Sequence, residues 1–287
     1  MDDTGEVFRQ IAVALDAGIV RTSGVHGGDV ATAVRLDLDD GRRVFAKTSA
    51  SVPPQHFTTE AAGLACLRRA TGLGVPEVVA VSDEPPFLVL EWIETSGAAP
   101  DTEAALGRGL AELHRAGATS FGRSDRRPTG SRGLPNDPCE TWAEFYATQR
   151  LWPLSRLARD TQSLSDRAIR GLNTVAGRLG ELGGDPEPPA CLHGDLWGGN
   201  RLVGLEGRNW LIDPAAHGGH REFDLAMMRL FGGFGAEAFA AYAEAFVLGE
   251  GWRERVALHQ LAPLVVHAVK FGGSYSAAVE RALSDYV

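Results

Sequence analysis

The chain has 287 residues, 44% of them hydrophobic, and a formal charge of −9. Its length exceeds the roughly 100–200 residues of one typical core, so two lobes are expected. The negative charge argues against nucleic acid or an anionic membrane as a partner, because such surfaces select basic proteins, whereas a nucleotide stays compatible when magnesium and one or two cationic side chains neutralise its phosphates locally.

In chain order, Val7 to Leu15 is predicted as a short amphipathic helix, followed by Arg21 to Val30 with Gly24, Gly27 and Gly28. Val30, Thr32, Val34, Leu36 and Leu38 recur at period two, which is strand behaviour. Asp39-Asp40-Gly41 closes a hairpin onto a strand over Arg43–Thr48. A helix is predicted from about Thr58 to Ala70, then strands over Val78–Val81 and Phe87–Trp92. This describes a small, mostly antiparallel β lobe with a helix, over residues 1–93.

Beyond residue 93 the pattern turns helical. Leu106, Leu110 and Leu113 mark a helix ending near Arg115-Ala116-Gly117, and a Gly-, Arg- and Pro-rich loop spans Phe121 to Pro138. Helices are predicted over Trp142–Leu151 and Ser165–Leu182, a break over Gly183–Pro189, and helices again from Glu222 to Val287. Residues 94–287 therefore form a larger, mainly helical lobe, and the fold class is α+β. Cys66, Cys139 and Cys191 are too few and too scattered for a disulfide framework or a zinc site, which suits a reducing cytoplasm. The acidic start, Asp2-Asp3-Thr4-Gly5-Glu6, lacks a signal-peptide pattern, and no run approaches the roughly 20 apolar residues of a membrane span.

Chemistry concentrates between Cys191 and Asp213. His193-Gly-Asp-Leu-Trp-Gly-Gly-Asn200 is followed by a short apolar hairpin and Leu211-Ile-Asp213, so Asn200 and Asp213 stand five and eighteen residues after Asp195. Magnesium-dependent phosphoryl transfer needs this set: a carboxylate for the hydroxyl proton, and an amide and a second carboxylate for the metal. Upstream, Lys47 near the end of a strand and Glu60 in the next helix match a phosphate-binding lysine pinned by a glutamate. Gly27 and Gly28 could cover phosphates with their backbone N–H groups, or form a plain turn. Gly41-Arg-Arg-Val-Phe-Ala46-Lys47-Thr48 nearly reads as a Walker loop, but Ala46 replaces the second glycine and no helix follows. No Gly-x-Ser-x-Gly elbow is present, so a hydrolase reading has no nucleophile.

The His193-Gly-Asp…Asn200…Asp213 core, Asp213-Pro-Ala, Gly219-His-Arg-Glu-Phe-Asp224-Leu-Ala-Met, Leu230-Phe-Gly-Gly-Phe234, Phe87-Leu-Val-Leu-Glu-Trp and Thr141-Trp-Ala-Glu-Phe-Tyr-Ala-Thr-Gln-Arg-Leu together resemble the fructosamine kinase (ketosamine-3-kinase) family. The resemblance covers nearly the whole chain and implies the two-lobed protein-kinase-like fold shared with aminoglycoside phosphotransferases and choline kinases. It implies Asp195 as catalytic base and Asn200 and Asp213 as holders of Mg2+. It further implies Lys47 on the ATP phosphates, Glu60 positioning that lysine, and the backbone of Glu91, Trp92 and Ile93 against the adenine. The family phosphorylates the third-carbon hydroxyl of ketosamines, which are sugar adducts of free amines or of lysines in glycated proteins. Members often carry a cysteine in the glycine-rich loop; Arg21–Val30 has none, so thiol control through that loop is not expected.

Around this core, Trp197 could stack on a sugar face or fill the lobe interior, and His217, His220, Arg221 and Glu222 could line the acceptor pocket or only stabilise their loop. His193 and Asp224 read as structural supports of the catalytic segment. The expected activity is ATP-dependent ketosamine phosphorylation that promotes deglycation, acting on ribulosamine or fructosamine adducts. An aminoglycoside- or choline-type kinase is the alternative within the same chemistry. A nucleotide-binding pseudokinase is the alternative outside it, although Lys47, Glu60, Asp195, Asn200 and Asp213 are all present.

Overall fold

A computed structural model describes residues 3–25, 31–49, 51–69, 72–130, 132–184 and 186–287. Helix α1 (Asp3–Leu15) leads into β1 (Ile19–Gly24), β2 (Thr32–Leu38) and β3 (Arg43–Thr48). Helix α2 (His56–Leu67) then precedes β4 (Val78–Asp83) and β5 (Pro86–Glu91). The five strands form one antiparallel sheet in the order β1-β2-β3-β5-β4. Its alternation is the one the sequence shows: Val34, Leu36 and Leu38 of β2 turn inward with Val44 and Ala46 of β3 and Phe87 and Val89 of β5, against Val7, Ile11 and Leu15 of α1. The opposite face receives α2 through Phe57, Leu64 and Leu67, which meet Leu88 and Leu90.

The sequence had Arg21–Val30 as one glycine-containing segment, whereas Ile19–Gly24 is an edge strand paired with β2. That strand shows no inward alternation, since none of its residues is fully buried, so period two gave no signal there. Residues 26–30, including Gly27 and Gly28, lie outside the described residues.

The larger lobe begins with α3 (Thr102–Ala116) and continues through α4 (Trp142–Phe145), a π-helical turn at Tyr146–Leu151, α5 (Trp152–Asp160), α6 (Asp166–Gly177) and α7 (Leu179–Leu182). Short strands β6 (Ala190–Leu192), β7 (Arg201–Val203), β8 (Asn209–Leu211) and β9 (His217–Gly219) carry the carboxylate segment. Helices α8 (Glu222–Phe231), α9 (Ala236–Ala245), α10 (Val256–Phe271) and α11 (Ser274–Leu283) close the chain. The predicted helix over Trp142–Leu151 therefore does not stop there. The chain runs from the π-helical turn straight into α5, with Leu151 and Trp152 both helical and Pro153 in its first turn. Arg150 of the π turn is buried and donates to Pro135 O at 2.6 Å and Asn136 Oδ1 at 2.6 Å, tying the Phe121–Pro138 loop to the helix.

A core built on Tyr146, Phe145, Leu172, Leu192 and Leu261 holds the helical lobe together. A second joins the lobes, placing Leu64, Leu67 and Leu90 with Leu106, Leu110, Leu196 and Leu211. No helix among the described residues is long and apolar enough to cross a membrane.

Candidate active site

Strand β6 pairs with β9, Ala190 opposite Gly219 and Leu192 opposite His217, and delivers His193-Gly-Asp195 to the cleft. Gly194 has φ +80°, and a Cβ there would lie 2.3 Å from Ala215 O, so the turn admits glycine only. Asp224 fixes this turn from below. Its carboxylate accepts the N–H groups of His193 at 2.7 Å and Gly194 at 2.9 Å, and His114 Nε2 lies 3.2 Å away. His193 is fully buried, accepts the Asp195 N–H at Nδ1 (3.2 Å) and donates from Nε2 to Ile212 O (2.9 Å). Both ring nitrogens are thereby committed, and burial holds the imidazole below its ordinary pKa, so it is neutral and structural.

After Asp195, a 3₁₀ turn at Gly198–Asn200 brings Asn200 back to the loop. Its Nδ2 donates to Asp195 O at 2.8 Å and Asp195 Oδ2 at 3.1 Å, and approaches Asp213 O at 3.5 Å. The β7–β8 hairpin then carries the chain to Asp213, whose φ of +56° is rare for a residue with a side chain. Across the cleft, Lys47 of β3 reaches Asp213 Oδ1, and its Nζ stands 2.6 Å from Glu60 Oε2 of α2. Helix α2 is seated directly on the segment after Asp213, since a Cβ on Gly63 would meet Ala216 Cβ at 3.2 Å and Pro214 Cγ at 3.5 Å. The five predicted catalytic, metal and phosphate residues thus form one connected chain: Asp195, Asn200, Asp213, Lys47, Glu60.

Electrostatics distinguishes the carboxylates. Burial, reinforced by the Asp213 charge, pushes Asp195 up to about 7. Glu60 is also raised by burial to about 7, against the pull of Lys47, and its Oε1 is a buried atom without a partner. Burial would raise Asp213 too, but the Lys47 ammonium holds it below the ordinary carboxylate range. The opposite balance holds for Lys47, where Glu60 and Asp213 outweigh burial and keep the amine protonated. One carboxyl poised to take a proton beside one kept ionised is the division of labour that phosphoryl transfer requires. The donor set is also right for a hard divalent cation: Asn200 spends its amide N–H groups on the loop, leaving Oδ1 as an oxygen ligand beside the Asp213 carboxylate.

Among the expected acceptor residues, Trp197 is the one at the surface, 42% exposed, with its ring lying over Gly199. His217, His220 and Glu222 are placed differently from a pocket lining. His217 is buried against Phe145, with Nδ1 on Ala215 O at 2.8 Å. Glu222 accepts from Arg255 at 2.6 and 2.9 Å and lies 3.3 Å from His259 Nε2, while His220 stacks near His259. These three are buried beneath the loop: Glu222 is spent on charge compensation inside the helical lobe, His220 Nδ1 accepts the Glu222 N–H, and His217 Nε2 is a buried atom without a partner. Glu91 ends β5 with its N–H on Glu77 O at 3.0 Å, and Trp92 and Ile93 follow at the lobe junction, with Arg35 over the Trp92 ring.

Residues without a sequence signal also meet the site. Arg123 donates to Ala216 O at 2.9 Å and to Asp125, bracing the segment after Asp213. Gly232 O accepts the Gly198 N–H at 3.1 Å, so the α8–α9 turn buttresses the catalytic loop. Lys270 at the end of α10 lends positive charge to Asp195. One arginine among several in a loop and a lysine 75 positions from its target carry no spacing that a sequence reader can use.

A profile of the fructosamine kinase family matches residues 5–287. A probable ketoamine kinase of Synechocystis is 32% identical over 98% of this chain and 92% of its own length. The chloroplastic protein-ribulosamine 3-kinase of Arabidopsis thaliana is 31% identical over 94% of this chain and 83% of its own. The crystal structure of a candidate fructosamine-3-kinase from Thermobifida fusca superposes with a TM-score of 0.89 at 38% identity, covering 96% of each chain.

Proposed function

We propose, because the chain belongs to the fructosamine kinase family, that it is an ATP-dependent phosphotransferase acting on the third-carbon hydroxyl of ketosamines. The single observation that carries this reading is the Asn200 amide bridging Asp195 and Asp213, while Lys47 ties Asp213 to Glu60. Asp195 takes the proton of the attacking hydroxyl, and its pKa near 7 matches a base that works at neutral pH. Lys47, fixed by Glu60, grips the nucleotide phosphates as a compact cation. Asn200 Oδ1 and the Asp213 carboxylate would hold Mg2+, which when bound neutralises charge on the transferring phosphates. The adenine is assigned to the backbone of Glu91–Ile93, at the junction of lobes 1–93 and 94–287. Trp197 is the assigned platform for the acceptor sugar, being exposed two residues from the base.

Phosphate at the third carbon stands beside the ketone, so enolisation toward the first carbon expels it and the amine is then released by hydrolysis. The substrates proposed are ribulosamine or fructosamine adducts, free or on protein lysines, met in a reducing cytoplasm. The test is nucleotide turnover with ribulose-lysine, fructose-lysine and psicose-lysine beside kanamycin and choline, with the product's phosphate position read by NMR. Turnover of a ketosamine giving a 3-phosphate is expected. Turnover confined to kanamycin or choline, or nucleotide binding without transfer to any acceptor, overturns the reading.

A further inference from the structure

Cys66 lies in the last turn of α2 and Cys191 in the middle of β6, 125 positions apart in sequence, yet their Sγ atoms are 3.4 Å from each other. One belongs to the helix that carries Glu60, the other to the strand that runs into His193 and Asp195. Both are free thiols. Cys139, the remaining cysteine, sits apart beside Asp137 O and Thr148 Oγ1. The two sulfurs are unequal. Cys66 is half-buried, and the hydrogen bond from Cys191, helped by the charges of Arg69 and Arg123, draws its thiol below the ordinary value. Donating that bond, together with burial, pushes Cys191 up. A half-buried, thiolate-prone cysteine with its sulfur in contact with that of a buried cysteine is the arrangement of an attacking and a resolving thiol.

We propose that Cys66 and Cys191 form a reversible oxidation site, closed by hydrogen peroxide into a disulfide that staples α2 to β6 and slows turnover. The Cys66 thiolate attacks one peroxide oxygen; the O–O bond breaks, the departing oxygen leaves as water, and Cys66 becomes a sulfenic acid, oxidised by two electrons. The Cys191 sulfur then attacks Cys66 Sγ; the S–O bond breaks, a second water carries away the hydroxyl and the Cys191 proton, and the S–S bond forms. Two thiols and one peroxide thus give one disulfide and two waters, and a dithiol reductant reverses the change. The closure demanded is small, from a 3.4 Å contact to a bond of about 2.05 Å. Its effect falls on lobe motion. Nucleotide exchange in a two-lobed kinase needs the lobes to part, and the new bond holds the Glu60 helix against the strand feeding Asp195. The thiol chemistry stands by itself, whereas the effect on turnover rests on the kinase reading above.

The full-length protein is treated with stoichiometric hydrogen peroxide, alkylated, and measured by intact mass, peptide mapping and nucleotide turnover. Expected are a product about 2 Da lighter before alkylation, a Cys66–Cys191 cross-linked peptide, Cys139 still alkylated, and a turnover loss of roughly fivefold or more that dithiothreitol reverses. Cys66→Ser and Cys191→Ala should each keep their basal rate and lose the peroxide sensitivity. Oxygen adducts on Cys66 without a cross-link, a cross-link with unchanged turnover, or equal inactivation of Cys66→Ser would each overturn the proposal. The cross-linked peptide is read without any acceptor, so a failure of the ketosamine assignment is told apart from a failure of the thiol pair.

Discussion

Lys47 and Glu60 meet at 2.6 Å with side chains only 10% and 8% exposed, and Asp213 holds the other side of the same ammonium. Removing the glutamate charge leaves the lysine paired, but to the carboxylate proposed to hold the metal. Glu60→Gln is therefore expected to keep the fold and to misdirect Lys47 toward Asp213. A charge-assisted interaction of about 1.5–3 kcal/mol corresponds to a loss of roughly 10–100-fold in kcat/KM for ATP. Steady-state kinetics at varied ATP check this, with thermal melting as the control for folding. An unchanged ATP dependence would remove Glu60 from the nucleotide site.

Asp195→Asn separates activity from stability. As the proposed base, Asp195 should contribute roughly 10²–10⁴-fold to turnover, while nucleotide affinity should hardly change. Its folded pKa of about 7 lies above the ordinary aspartate value, so it costs no stability below about pH 4, costs progressively more as pH rises from there, and the cost is complete above about pH 7. Asparagine removes that cost, and after discounting for water around a partly exposed group the gain is roughly 1–3 kcal/mol at pH 8 and close to none at pH 4. Denaturant midpoints at the two pH values measure it. The wild-type kcat/KM should rise with pH up to about 7 and then level, as this carboxyl loses its proton.

Asp213→Ala should release Lys47 to Glu60 alone and take away one of the two proposed oxygen ligands. Nucleotide affinity in the presence of Mg2+ is then expected to drop to the level seen with chelator, which titration calorimetry resolves. Equal responses of variant and wild type to metal would count against Asp213 as a ligand.

Asp224 is wholly buried and accepts from two backbone N–H groups beside His114. Alanine there leaves those donors unsatisfied inside the lobe, at a cost of about 3–5 kcal/mol. Asp224→Ala is expected to express as an unstable protein with a melting point lowered by many degrees. A variant that melts like the wild type and merely turns over slowly would recast Asp224 as a direct participant.

The carboxylate segment was legible because phosphoryl transfer imposes both residue types and order, and the hairpin between Asn200 and Asp213 needs only local pairing. The sheet was legible through period two wherever one face is buried, as in β2, and failed at β1, where neither face is. What stayed hidden depends on tertiary proximity. Nothing in the spacing of Cys66 and Cys191 announces a 3.4 Å contact. Nor does the run His217–Glu222 reveal that its polar groups turn into the lobe toward Ala215, His259 and Arg255, all of which but Ala215 come from the carboxy-terminal region.

That inward-turned run governs how the protein responds to acid. Burial lowers His217 to about 3 and His220 to about 4, so both are neutral in the fold and protonate more readily once it opens. Glu222 would be raised by burial, but hydrogen bonds with His259 and Arg255 bring it down to about 2. All three folded values are depressed, so the stability they contribute is complete above the ordinary histidine range and is lost as pH falls. The histidine part goes first, below about pH 6.5, and the glutamate part follows below about pH 4. Each group adds a slope of up to about 1.4 kcal/mol per pH unit, discounted for whatever water reaches it. Urea unfolding of the wild type between pH 7 and 4 should therefore show a midpoint that falls steeply from pH 6 downward. In His217→Phe the ring keeps its stack on Phe145 and the buried, partnerless Nε2 disappears, so this variant should lose stability with one proton's slope less over the same interval. Identical slopes in the two proteins would show that His217 takes up no proton on unfolding, and with it that the base of the catalytic loop is not the acid-sensitive part of this fold.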